Sequence, residues 1–111
     1  MVLEHIDMEA LAALREVMGA EFAHLVETFI NDSDTRINSI KETVNAADAE
    51  AIRRAAHSLK GSASNMGAVN LTDLCRRLEA LAGEAELADS QSLLAQITAE
   101  YAIVRERLQA L

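Results

Sequence analysis

Apolar residues recur along the chain at steps of three and four, the spacing that gathers them on one face of a helix. The pattern predicts a short first helix within residues 6–18, with Asp7 as its N-cap. A long helix is predicted over residues 20–46, separated from the first by Gly19 and interrupted on its apolar face by Ser33. The first 46 residues are therefore expected to be helical almost throughout.

Three more helices follow the same periodicity. One is expected to begin after Asp48 as N-cap and to end near Gly67, and the next to open on Asn70 and Asp73 as an N-cap pair. Residues 83–89 are predicted to be a loop, and the last helix covers residues 93–111. Four long amphipathic helices with short connections predict an all-α fold, an up-down-up-down four-helix bundle with the short extra N-terminal helix across one end. Residues 1–111 are expected to form a single domain.

The helix predicted to begin after Asp48 carries two neighbouring stripes of residues. One is apolar and contains Ile52, Ala56, Leu59, Ala63 and Met66. The other is polar and contains Arg53, His57, Lys60 and Ser64, with Gly61 one turn beyond the histidine. The pattern therefore predicts that the imidazole of His57 faces solvent, next to a lysine and to a position without a side chain.

These residue types suit phosphoryl transfer. An imidazole nitrogen can take a phosphoryl group covalently, and Lys60 could stabilise charge on its oxygens. Gly61 is unfavourable inside a helix, and we interpret it as steric access for a large partner. The alternatives are that His57 and Lys60 are ordinary surface residues and that Gly61 marks a close helix contact or a helix end.

Charge is distributed unevenly. The chain has a net charge of −8, yet five cations stand against Asp73 alone between Arg53 and Arg77, a local net of +4 that leaves −12 for the rest. Such a basic region favours an acidic partner, and it makes Arg53, Arg54 and Ser64 candidate partner-binding residues. The alternative is a set of solvated helix faces. An acidic chain with only 3% aromatic residues is not typical of a nucleic-acid-binding protein.

Several other classes of function are disfavoured. No apolar run reaches the length of a membrane span and no signal peptide is evident, so we expect a cytoplasmic protein without a membrane partner. Cys75 is the only cysteine, which fits a reducing compartment and a buried structural thiol. His5 and His24 are too scattered to predict a metal site, and no Gly-rich phosphate loop predicts ATP binding. We therefore expect no cofactor.

Residues 57–68 resemble the signature of histidine phosphotransfer (HPt) domains, H-x-L-K-G-[SA]-[SA]-x-x-[LM]-G-[AL], and read HSLKGSASNMGA here. Residues 74–79 are similar to the helix that follows the signature in the family. A long predicted helix that contains Phe22, Phe29 and Arg36 is similar to the family's second helix. The resemblance covers nearly the whole chain and implies a four-helix bundle that acts in two-component signalling.

The resemblance also implies a mechanism and partners. His57 would accept phosphate, on the ring nitrogen farther from the backbone, from a receiver-domain aspartate of a hybrid sensor kinase and pass it to the receiver of a response regulator. The receivers would supply the metal ion and most of the catalysis, so the chain would be a phosphocarrier and not an enzyme. A stand-alone protein similar to free bacterial phosphotransfer proteins is expected, since the chain starts at Met1; the alternative is a segment excised from a hybrid kinase with an added Met. We also expect a monomer.

Two other classes remain as alternatives. One is the dimerisation domain of a sensor histidine kinase, which typically has an acidic residue after the histidine and a proline soon afterwards. Here Ser58 follows His57, and the chain contains no proline. The other is a non-phosphorylated helical adaptor in which His57 has no chemical role.

Overall fold

The computed structural model describes residues 4–111, so residues 1–3 of the predicted domain lie outside the described part. The described chain is helical, with no strand. Its helices are α1 (Met8–Met18), α2 (Phe22–Asn45), α3 (Ala49–Asn65), α4 (Val69–Gly83) and α5 (Ser90–Gln109), and a short 3₁₀ turn, Gly19–Glu21, joins α1 to α2.

The four long helices form a closed ring. Helix α2 packs against α3, α3 against α4, α4 against α5, and α5 returns to α2, with short connections at residues 46–48, 66–68 and 84–89. Short connections between neighbouring helices give the antiparallel, up-down-up-down arrangement, so the predicted bundle is confirmed. Helix α1 packs at the start of α2, near the α3–α4 turn, where the amide of Asp7 donates to the carbonyl of Gly67 at 2.7 Å.

The predicted apolar stripe of α3 is buried in the centre of this ring. Ile52, Ala56, Leu59 and Ala63 are fully buried and Met66 is 3% exposed. Cys75 on α4 is also buried and unpaired, and its burial raises the pKa of the thiol to about 12. The thiol is therefore a packing group at neutral pH, as the sequence predicts.

Two of the three predicted N-caps are confirmed. The amide of Ala10 donates to Asp7 Oδ1 at 3.0 Å, and the amide of Ala51 donates to Asp48 Oδ1 at 3.1 Å. The cap pair predicted at Asn70 and Asp73 is wrong, because α4 already begins at Val69. The amide of Asn70 there donates to the main-chain carbonyl of Glu4 at 3.1 Å, so the N-terminal segment satisfies a donor that a side-chain cap would otherwise take.

Ser33 is the polar interruption in α2, and it is buried with no hydrogen-bond partner for its hydroxyl. We expect Ser33→Ala to raise the free energy of unfolding by about 1 kcal/mol, since it removes a polar atom that burial leaves unsatisfied. Urea denaturation monitored by circular dichroism measures the change. The same substitution at exposed Ser39 on α2 is the control, and a loss of stability in Ser33→Ala would contradict the assignment.

Candidate functional site

Helix α3 holds His57 at the surface because its apolar stripe faces the core. Ala56 and Leu59 are fully buried, and positions 57 and 58 between them are exposed. The side chain of His57 is 64% exposed. The prediction that the imidazole faces solvent is confirmed.

A carboxylate from the neighbouring helix holds one edge of the ring. Glu79 on α4 places Oε2 at 2.6 Å from His57 Nδ1 and Oε1 at 2.6 Å from Lys60 Nζ. The side chain of Glu79 is 19% exposed, so it lies in the groove between α3 and α4. One carboxylate therefore joins the candidate nucleophile to the candidate charge-stabilising group.

The contact decides which ring nitrogen is free. The hydrogen bond from Lys60, together with the one from His57, keeps the pKa of Glu79 below its ordinary value although partial burial acts in the opposite direction. Glu79 is therefore ionised at neutral pH and can only accept hydrogen bonds. His57 Nδ1 must then carry the proton, which leaves the lone pair of a neutral ring on Nε2, the nitrogen farther from the backbone.

Gly61 lies in the middle of α3 and has no packing role. A Cβ built at this position meets no heavy atom within 4 Å. The alternatives of a close helix contact and of a helix end are therefore wrong, because the space is open and α3 continues to Asn65. The missing side chain leaves a gap on the helix surface one turn from His57.

The other predicted contact residues are only partly gathered at His57. Arg53 and Arg54 both bind Glu50 in the first turn of α3, at 2.7 Å and 3.3 Å, and Ser64 is exposed two turns beyond His57. The local charge is also smaller than predicted from the sequence. Glu50 and Glu79 lie outside the interval that was counted, and with Asp73 they set three carboxylates against its five cations, a net of +2.

Residues from two other helices approach the site without having been predicted. Glu79 stands in the stretch that resembles the family, but its contact with His57 depends on how α3 and α4 pack. Arg36 of α2 donates from Nη1 to Ser58 Oγ, at the residue directly after His57. Both contacts cross between helices, where the periodicity of a single helix gives no signal.

The contact of Glu79 with Lys60 is expected to stabilise the folded state in a pH-dependent way. Because the folded state lowers the pKa of Glu79, its contribution is present above the unfolded value near 4.5 and is lost as the pH falls through the lowered folded value. We expect Glu79→Gln to cost about 1 kcal/mol at pH 7, with the gap to wild type closing in acid. Thermal unfolding across a pH series measures it.

Glu106→Gln, at an exposed position of α5, is the control and should show no such gap. A cost for Glu79→Gln that is equal at neutral and acid pH would contradict the ion pair as its source.

The other histidines do not join the site. His5 contacts the buried Glu100 through Nδ1 at 2.7 Å, and His24 is exposed on α2. Within residues 4–111, no three His, Cys, Asp or Glu side chains are grouped in a way that could hold a metal ion. In the same range, no helix is both long and apolar enough to cross a bilayer.

An antiparallel four-helix bundle that exposes an oriented imidazole beside a lysine and an open helical position has the architecture of a histidine phosphotransfer domain. The family model of the Hpt domain matches residues 24–107, and the chain belongs to this family. Its function is accordingly histidine phosphotransfer in a phosphorelay. HPt proteins are phosphocarriers that interact with receiver domains.

Solved structures agree with this family assignment. The chain is similar to histidine-containing phosphotransfer protein B (HptB) from Pseudomonas aeruginosa PAO1, with 42% identity, 98% of this chain and 95% of that chain covered, and a TM-score of 0.94. A putative histidine-containing phosphotransfer protein from rice shares the fold at 21% identity, with 95% and 79% of the chains covered and a TM-score of 0.83. None of the functionally curated proteins compared with the chain matches it.

Proposed function

We propose that His57 is the residue that is phosphorylated, and that the chain carries the group from the receiver of a hybrid sensor kinase to that of a response regulator. The observation that carries the proposal is the position of His57. Its side chain is 64% exposed, and Glu79 binds Nδ1 and leaves Nε2 as the other ring nitrogen. The proposed carrier acts as one domain and as a monomer, and the receivers supply the metal ion and most of the catalysis.

The transfer is an in-line displacement at phosphorus. The lone pair of His57 Nε2 attacks the phosphorus of an aspartyl phosphate, the N–P bond forms, and the P–O bond to the aspartate breaks. The aspartate leaves as a carboxylate. As the ring loses electron density, positive charge develops on it, and the Glu79 carboxylate bonded to Nδ1 stabilises that charge. The reverse reaction loads the second receiver.

Lys60 stabilises the phosphoryl oxygens in this proposal. Its ammonium has three donors, and Glu79 accepts one of them at 2.6 Å. The remaining donors are available to an oxygen of the group on Nε2, because Lys60 and His57 are one helical turn apart on the same face. Gly61 lets the receiver approach close enough for the displacement.

The test is phosphate transfer from a radiolabelled, phosphorylated receiver to the purified chain. We expect the chain to gain label that is stable in base and lost in acid, which distinguishes a phosphohistidine from an aspartyl phosphate. Labelled ATP without a kinase and receiver should give no label. A chain that binds receivers but takes label from none of the host's receiver domains would instead be the helical adaptor.

A further inference from the structure

The cations around His57 differ in whether a carboxylate already neutralises them. Arg53 and Arg54 bind Glu50, and Lys60 binds Glu79. On α4, Asp73 binds Arg76 at 2.7 Å and Arg77 at 3.0 Å. To bind an acidic partner, each of these cations would have to share or give up an existing ion pair.

Arg36 is different. Its Nη1 donates to the neutral hydroxyl of Ser58, and the described residues place no carboxylate within 4 Å of its guanidinium nitrogens. A guanidinium has five N–H donors in a planar fork that matches a carboxylate. Arg36 therefore keeps its full positive charge and most of its donors while the bond to Ser58 fixes its position.

The position of Arg36 complements the rest of the site. Glu79 and Lys60 lie on the side of α3 that faces α4, whereas Arg36 reaches Ser58 from α2, on the other side. A receiver that covers His57 and the gap at Gly61 would extend over both sides. Its surface around an aspartyl phosphate carries negative charge, which the free guanidinium would attract.

We propose that Arg36 contacts the receiver in the phosphotransfer complex. Its guanidinium binds a carboxylate on the receiver beside the phosphorylated aspartate. The inference rests on the proposed function. Ser58 is a positioning residue, because it holds the guanidinium on the face that the receiver covers.

The experiment compares transfer rates from one phosphorylated receiver to wild type, Arg36→Ala, Arg36→Lys and Ser58→Ala. We expect Arg36→Ala to lower kcat/KM about ten-fold, mainly through KM, and the loss to shrink as the salt concentration rises. Arg36→Lys should recover part of the rate, since it keeps the charge. Ser58→Ala should lower kcat/KM about two-fold. The double variant Arg36→Ala/Ser58→Ala should be no slower than Arg36→Ala alone.

Arg107→Ala is the matched control, because it removes the same charge from an exposed position in the last turn of α5. Thermal unfolding of each variant checks that the bundle is intact. If wild type transfers phosphate but Arg36→Ala is no slower than Arg107→Ala, or its loss does not depend on salt, the inference about Arg36 is overturned. If wild type accepts no phosphate, the proposed function itself fails.

Discussion

His57→Gln is expected to reduce phosphate uptake from a phosphorylated receiver to the level of a protein-free control. The amide nitrogen of glutamine has its lone pair delocalised into the carbonyl and is not a nucleophile, so no N–P bond can form. The fold should survive, because the side chain is 64% exposed and the glutamine amide can still donate to Glu79. Base-stable, acid-labile label, counted after a fixed time, is the measurement.

His24→Gln is the matched control, since His24 is also an exposed histidine on a helix and lies outside the site. It should take up label at the wild-type rate. Equal labelling of wild type and His57→Gln would place the phosphate on another residue and remove His57 from the mechanism.

Substitutions at Gly61 are expected to change stability and transfer in opposite directions. Gly61→Ala should stabilise the bundle by about 0.5–1 kcal/mol, because alanine favours the helix and the added Cβ meets no heavy atom within 4 Å. Gly61→Leu places its Cβ in the same open space, but its longer side chain would stand between His57 and the receiver. A displacement of about 1 Å in the reacting groups can cost about 100-fold in rate, and we expect a loss of that order.

Transfer kinetics and thermal unfolding of the same samples separate the two effects. Gly83→Ala, at the end of α4, is the control for an added methyl group, because a Cβ there makes only an ordinary contact of 3.9 Å. It should transfer at the wild-type rate. A Gly61→Leu variant that transfers as fast as wild type would show that the gap has no role in access.

Features set by the periodicity of one helix were predicted from the sequence. The buried stripe of α3, the exposure of His57 and the caps at Asp7 and Asp48 all follow from spacing and from residue types that act over three or four positions. Each depends on neighbours within the same helical turn, so a single sequence contains the information.

Features set by packing between helices were not predicted. Glu79 reaches His57 across 22 positions, and Arg36 reaches Ser58 across the same number. The start of α4 was misplaced for a related reason, because a main-chain carbonyl at Glu4 replaces the expected side-chain cap. Such contacts depend on the register of one helix against another, which helical periodicity does not fix.

The backbone conformation within two of the turns was also not predicted. Ala47 and Ala85 adopt left-handed backbone conformations, with φ of 52° and 56°, in the α2–α3 and α4–α5 connections. Glycine or asparagine usually marks such a position. The sequence therefore does not mark the conformations of Ala47 and Ala85, although α2 and α4 end within one residue of their predicted ends. Gly67, with φ of 70°, coincides with the predicted end of the histidine helix.

The division of the site between α3 and α4 has a consequence for how it is assembled during folding. His57, Lys60 and Glu79 belong to a single helical hairpin closed by residues 66–68, and α3 and α4 share the most extensive contact of any helix pair. Contacts between chain neighbours of this kind close with a small loss of entropy and form quickly. The proposed nucleophile His57 and the carboxylate of Glu79 can thus come together before α2 and α5 pack against the hairpin.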